Sequence, residues 1–223
     1  MNNTLNSASA DAITPKKKTT YYHLVLDRSG SMGSCWQEVR QVIDKQLLDL
    51  KRIQEENASS ELIFSFCAFD HELQFSQGLM PVTQARMDWE LIYPNGSTSL
   101  NDAIGESISY IKEKVGPALS EADADVIVLI LTDGHENASR IYSSKAVKEL
   151  MEACEETGKW NFLFLGAGLD VTEVTQAFDR GDKNAYSFAK DSLAMSFNKV
   201  NHELEDYVKQ KEQNKKKTSF FKF

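Results

Sequence analysis

The sequence predicts a doubly wound α/β fold: a mostly parallel central sheet with one antiparallel edge strand and helices on both faces. Three observations carry that prediction. The apolar runs Tyr21-Tyr22-His23-Leu24-Val25-Leu26 and Val126-Ile127-Val128-Leu129-Ile130-Leu131 have the character of strands buried on both faces of a parallel sheet. Segments with apolar residues at helical spacing alternate with such strands. Two strand-like stretches separated only by Asp70-His71 describe a hairpin, which adds the antiparallel edge.

Taken in order, residues 1–18 are polar and poor in apolar side chains, the composition of a disordered leader. Strand one occupies residues 21–26. Val39, Ile43, Leu47 or Leu50, and Ile53 recur at helical spacing, so a first helix is expected over residues 34–55, with Cys35 and Trp36 at its start. Residues 61–69 and 72–76 form the hairpin. Leu100, Ile104, Ile108 and Ile111 mark a helix over residues 100–114, and the strand at 126–131 follows. Ser144 is placed to cap a helix carrying Val147, Leu150, Met151 and Cys154, which Gly158 can stop. Residues 160–165 read as a strand with Gly166-Ala167-Gly168 as its exit, residues 172–178 as a short helix and residues 185–188 as a final strand. Leu193, Phe197, Val200, Leu204 and Val208 make the last amphipathic helix. In such a fold the ligand crevice lies outside the carboxyl ends of the strands, where Asp27 and Asp133 both fall.

With 223 residues and 41% hydrophobic content the chain can bury one sizeable core. We expect one domain over residues 19–208, preceded by the polar leader and followed by a Lys/Phe-rich tail, residues 209–223. The longest apolar runs fall far short of the roughly 18 residues a membrane span needs. The first twenty residues show no hydrophobic signal region, so a cytoplasmic protein is expected. Cys35, Cys67 and Cys154 are widely spaced, which suits reduced, buried thiols better than a disulfide framework. Residues 1–18 carry +2 and residues 209–223 carry +5, so within a net charge of −8 the body carries −15. An acidic body argues against a nucleic-acid-binding face, which normally shows a basic stripe.

Asp27-Arg28-Ser29-Gly30-Ser31-Met32 sets three oxygen side chains at alternate positions where the first strand ends. One carboxylate and two hydroxyls suit Mg²⁺, Mn²⁺ or Ca²⁺ far better than zinc or copper. An ordinary Ser-Gly-Ser turn, with Asp27 and Ser29 bonding local amides, is the alternative for this segment alone. Two later segments count against it: Asn95-Gly96-Ser97-Thr98-Ser99-Leu100-Asn101-Asp102-Ala103, which puts Thr98 just before a helix, and Thr132-Asp133-Gly134, which puts Asp133 at a strand's carboxyl end.

Together, Asp-x-Ser-x-Ser, the Gly-x-Thr-x-Leu-x-Asp-Ala segment and the strand ending Thr-Asp-Gly resemble the von Willebrand factor A domain, over residues 19–208. That resemblance implies a Rossmann-like sheet and a metal-ion-dependent adhesion site. Ser29, Ser31 and Thr98 would be its hydroxyl ligands, and Asp27 and Asp133 would act directly or through water. A Mg²⁺ held mostly by neutral hydroxyls and waters keeps much of its charge, so a partner's Asp or Glu can complete its octahedron at about 2.0–2.1 Å. The implied function is metal-dependent protein–protein interaction. Stand-alone domains of this appearance are similar to bacterial or phage cytosolic members of the family, which work beside AAA+ ATPases or in stress responses such as tellurium resistance.

Other readings have less support. A metal flanked by Asp27 and Asp133 could activate water as in a hydrolase. However, no His in the motif segments is placed to activate a serine, and Gly30-Ser31-Met32-Gly33 is one residue short of a Gly-x-Ser-x-Gly elbow. A non-enzymatic protein is expected. Gly166-Ala167-Gly168 begins a dinucleotide fingerprint but has Val171 where the third glycine belongs. His135 is either a rim residue of the metal site or a solvated loop residue. A third possibility is a scaffold acting through its helices and tail, with a structural ion only. In that tail Phe220, Phe221 and Phe223 could dock on an anionic membrane or a partner groove, whereas a frayed helix end with solvated lysines is the plainer account.

Overall fold

The computed structural model describes residues 17–121, 123–167, 178, 185–188 and 193–213. The leader up to residue 16, Gly168, most of the helix expected at 172–178 and the tail beyond residue 213 lie outside the described residues.

Strands β1 (Lys18–Asp27), β2 (Ser60–Phe69), β3 (Leu73–Pro81), β4 (Ala124–Thr132), β5 (Trp160–Ala167) and β6 (Ala185–Phe188) form one sheet in the order β3-β2-β1-β4-β5-β6. Only the β2–β3 pair is antiparallel. The predicted doubly wound sheet is therefore present. All nine residues of β4 are buried, as its uninterrupted apolar run requires for a central parallel strand.

Helices α1 (Trp36–Glu56) and α4 (Leu193–Glu212) cover one face, and α2 (Leu100–Glu121) and α3 (Ser144–Glu156) cover the other. Alternation along β1 distributes its side chains between the two cores: Tyr22, Leu24 and Leu26 join the α1/α4 side and Val25 the α2/α3 side. Each fully buried aliphatic or aromatic side chain contributes about 1.5–3 kcal/mol by leaving water. The α1 stripe includes both Leu47 and Leu50, and Gln46 on it donates from Nε2 to the buried Tyr22 hydroxyl at 3.0 Å.

The elements depart from expectation in physically readable ways. Residues 30–34 form a 3-10 turn before α1, so the α-helix proper starts at Trp36. Helix α2 continues to Glu121, seven residues beyond the expected end. Val115 and Leu119 extend its buried stripe, and Pro117 sits on the exposed side where water can satisfy the freed carbonyl. Strand β3 reaches Pro81 because two register shifts against β2 let the pairing continue past the expected end. The cap of α3 is Ser143, whose hydroxyl accepts from the Ala146 N–H at 3.2 Å, while the Ser144 hydroxyl donates to or accepts from the Asn101 amide instead. Gly158 ends α3's turn at φ +69°, as expected.

Helix α4 packs on α1 through Arg52–Glu205 at 3.0 Å and Asn201–Asp49 at 2.6 Å. Its last turn holds Lys211, whose ammonium pairs with Asp125 at 2.7 Å in a nearly buried contact shared with the Tyr207 hydroxyl. Among the described residues no helix is long and apolar enough to cross a membrane.

His23 lies wholly inside the α2 side of the sheet, with Nδ1 2.7 Å from the Ser65 hydroxyl and no partner on Nε2. Burial pushes its pKa down to about 3. The unfolded chain takes up this proton near pH 6.5, so the associated stability is present above that pH and is lost as pH falls toward 3. In urea titrations between pH 7 and 4, His23→Leu should flatten the acid loss of stability by up to about 1.4 kcal/mol per pH unit.

Candidate metal centre

The parallel register of β1 with β4 places Leu26 beside Leu131, so both chains leave the sheet together, one at Asp27 and the other at Thr132-Asp133. Asp27 is fully buried at that exit. Its Oδ1 accepts the Ser29 N–H at 2.7 Å and its Oδ2 accepts the Thr132 hydroxyl at 2.5 Å. Burial, the largest effect, and repulsion from Asp133 raise the Asp27 pKa to about 6, against the lowering by these hydrogen bonds.

The two serines complete a chain of oxygens. The Ser29 and Ser31 hydroxyls are 3.1 Å apart, and Ser31 donates to Asp133 Oδ1 at 2.6 Å. Thr98 comes from the loop before α2. A Cβ built on Gly134 would lie 2.9 Å from Thr98 Oγ1 and 3.6 Å from Asp27 Oδ2, so only glycine leaves the space these oxygens surround. All five expected residues, Asp27, Ser29, Ser31, Thr98 and Asp133, thus meet at the carboxyl edge of β1 and β4. Asp27, Ser29 and Thr98 are buried beneath, whereas Ser31 is exposed.

Backbone links hold the loops in register. The Arg28 N–H donates to Phe69 O at 2.7 Å, Asn95 N–H to Arg28 O at 2.8 Å, Gly30 N–H to Gly96 O at 3.0 Å and Ser99 N–H to Asp70 O at 2.8 Å. Arg28 and Asp70 also pair at 3.2 Å with little exposure of either. Gly96, at φ +65°, carries the His71 ring directly against its α-carbon, where a Cβ would be 2.2 Å from Nδ1.

The loop after β4 is tied to the start of α2 in both directions. Asp102 accepts the N–H groups of Arg140, Ile141 and Tyr142 at 2.8–2.9 Å. Glu136 accepts the Asn101 N–H at 2.8 Å, satisfying an orphan donor at the helix N-terminus, and also the Ala138 and Ser139 N–H groups. Asn137 fixes Thr98 itself: its Oδ1 accepts the Thr98 N–H at 2.9 Å, and its own N–H donates to the Thr98 carbonyl at 3.0 Å. Tyr142 lies against Gly105 of α2, closer than any larger residue would allow.

Thr132, Asp102, Glu136 and Asn137 were not identified from sequence as part of this architecture. Thr132 and Asp102 stood inside the motif segments, whereas Glu136 and Asn137 had no local signal. His135 is exposed on the same loop.

The donor set fits a hard divalent cation, since hydroxyl and carboxylate oxygens are its preferred ligands and Gly134 keeps any side chain away from the Thr98 and Asp27 oxygens. Among the described residues there is no group of three or more His, Cys, Asp or Glu suited to a metal, so binding here would depend on the three hydroxyls.

Two substitutions probe this assembly. Gly134→Ala should fold but weaken Mn²⁺ binding at least about tenfold, read by isothermal titration calorimetry, because the methyl displaces the Thr98 hydroxyl. Asp102→Ala leaves three N–H groups without their acceptor and should cost about 2–4 kcal/mol of stability, read by urea denaturation.

No protein-family model matches the chain. Inter-alpha-trypsin inhibitor heavy chain H2 of Mus musculus is 24% identical over 155 residues, and heavy chain H4 of Sus scrofa 28% identical over 152. Each match covers 66% of this chain and 15% of the relative, so the chain spans a small part of those proteins' length. Among solved structures, the vWF domain of the type V pili tip protein Mfa5 from Porphyromonas gingivalis superposes with TM-score 0.63 at 10% identity, covering 86% of this chain and 97% of that one. The pilus adhesin SpaC from Lactobacillus rhamnosus GG gives TM-score 0.65 at 11% identity over 87% of this chain and 31% of the other. BatB from Bacteroides thetaiotaomicron gives 0.59 at 14% identity over 85% and 99%. With its sheet order and its helix placement, the chain has the von Willebrand factor A fold.

Proposed function

We propose that this chain is a protein-interaction module that takes a partner's Asp or Glu through a divalent cation, Mg²⁺ in the first instance, held by Asp27, Ser29, Ser31, Thr98 and Asp133. The observation that carries it is the convergence of these five residues from three separate loops on one partly exposed point. When bound, the cation supplies an electrophilic position that a carboxylate from another protein can occupy.

The residues divide the work. Ser29, Ser31 and Thr98 offer neutral oxygens, which leave most of the cation's charge for the partner. Asp27 and Asp133 would supply the carboxylate oxygens that hold it, directly or through water. Thr132 and the Ser29 N–H orient the Asp27 carboxylate, and Asn137 fixes the backbone on both sides of Thr98. The role is that of an adaptor rather than an enzyme, and it is in keeping with a pilus tip protein and a pilus adhesin of the same fold. The chain's three cysteines are buried and outside any disulfide among the described residues, which suits a reducing cytoplasm.

Capture from a lysate of the source organism tests the proposal. A partner should be retained in Mg²⁺, lost in EDTA, and lost with Asp27→Ala or Thr98→Ala while both variants keep the wild-type circular dichroism spectrum. Equal retention under all conditions would reduce the ion to a structural part and move the contacts to the helices.

A further inference from the structure

Beside the candidate metal centre lies an open cleft of about 430 Å³ lined by His71, Ser97, Asn137, Ala138, Ser139 and Arg140. Its wall is continuous with the metal loops. Ser97 precedes Thr98, Asn137 hydrogen-bonds Thr98 on both sides, and the His71 ring rests on Gly96.

The charges around this cleft are arranged unusually for an acidic chain. Two carboxylates bound to the cleft's loop are turned largely to backbone: Asp102 accepts three N–H groups, including that of Arg140, and Glu136 accepts three N–H groups and the Ser139 hydroxyl. Neither pairs with the Arg140 guanidinium, which is in no ion pair among the described residues and stands at the exposed wall. The imidazole of His71 is half-exposed, with Nδ1 3.2 Å from Asp70, whose carboxylate is already engaged by Arg28 and by the Glu72 N–H. Arg140, exposed, and His71, half-exposed, therefore line one cleft within a body that carries strong net negative charge.

We propose that this cleft is a second anion subsite, so that the segment recognised at the metal is an acidic peptide with two carboxylates, the first on the cation and the second between Arg140 and His71. This deepens the proposed metal-dependent function and rests on it. The specificity it confers has a recognisable sign. A net charge of −8 repels a second carboxylate arriving at random, so a doubly acidic peptide should bind more weakly than a singly acidic one unless a local cation receives it. Arg140 can hold a carboxylate through two parallel N–H donors, which fixes orientation as well as charge.

The test uses the ¹⁵N-labelled protein in Mg²⁺ at low salt, titrated with acetyl-Gly-Asp-Gly-Gly-Gly-Gly-amide and with three versions carrying a second Asp one, two or three positions further on. Amide shifts are followed at Ser29, Ser31 and Thr98 for the metal loops and at residues 137–140 for the cleft. The expected result is that one doubly acidic peptide binds about two- to fivefold tighter than the single-Asp peptide and shifts residues 137–140, as one partly exposed ion pair allows. That gain should vanish in Arg140→Gln, where the single-Asp peptide binds as it does to wild type, and should fade in 0.5 M NaCl. If no spacing gains affinity while the single-Asp peptide binds, or if the gain survives Arg140→Gln, the subsite is wrong and the metal-dependent function stands. If no peptide moves the metal-loop amides in Mg²⁺, the metal-dependent function fails and the subsite with it.

Discussion

A fully buried carboxylate at the end of the central strand is the constraint on which this structure depends. Asp27 ends β1 at the point where β1, β2 and β4 leave the sheet side by side, and burying its charge is costly unless donors receive it. Thr132 and the Ser29 N–H are those donors; the second is local to the loop, but the Thr132 hydroxyl would not be in place if β1 and β4 were paired one residue out of register, since a single-residue slip turns every side chain to the other face. The apolar continuity of β4 and the alternation of β1 therefore do more than fill two cores. They fix the height at which three loops meet.

From that point outward the architecture is a set of ties between loops. Arg28 and Asp70 join the exits of β1 and β2, the Asp70 carbonyl receives the Ser99 N–H at the start of α2, and Asp102 and Glu136 exchange backbone donors between α2 and the loop after β4. Most of these contacts use carboxylates to accept backbone N–H groups, which satisfies donors at a helix start and also keeps negative charge occupied close to the candidate metal centre.

How much of this was legible follows from what kind of signal each part leaves. The strands β1 and β4 announce themselves through uninterrupted apolar runs, the helices through their 3.6-residue stripes, and the residues that converge at the candidate site through oxygen side chains at fixed spacing next to strand ends. The extent of β3 was not legible, because bulges against β2 break the alternation that would mark it. Nor was the choice of Ser143 over Ser144 as the cap, since adjacent serines differ only in which one the Asn101 amide recruits. Glu136, Asn137 and the contact of His71 with Gly96 depend on loops remote in sequence, and no local pattern specifies them.

We propose that five oxygen-bearing residues from three loops hold one divalent cation. A crystal structure of the protein soaked in Mn²⁺, with anomalous data collected near the manganese edge, addresses it most directly. The expected result is a single strong peak beside Gly134 with Ser29, Ser31 and Thr98 hydroxyl oxygens at bonding distance and the two aspartates next to it. A map with no peak there, or with manganese bound at another cluster, would contradict it.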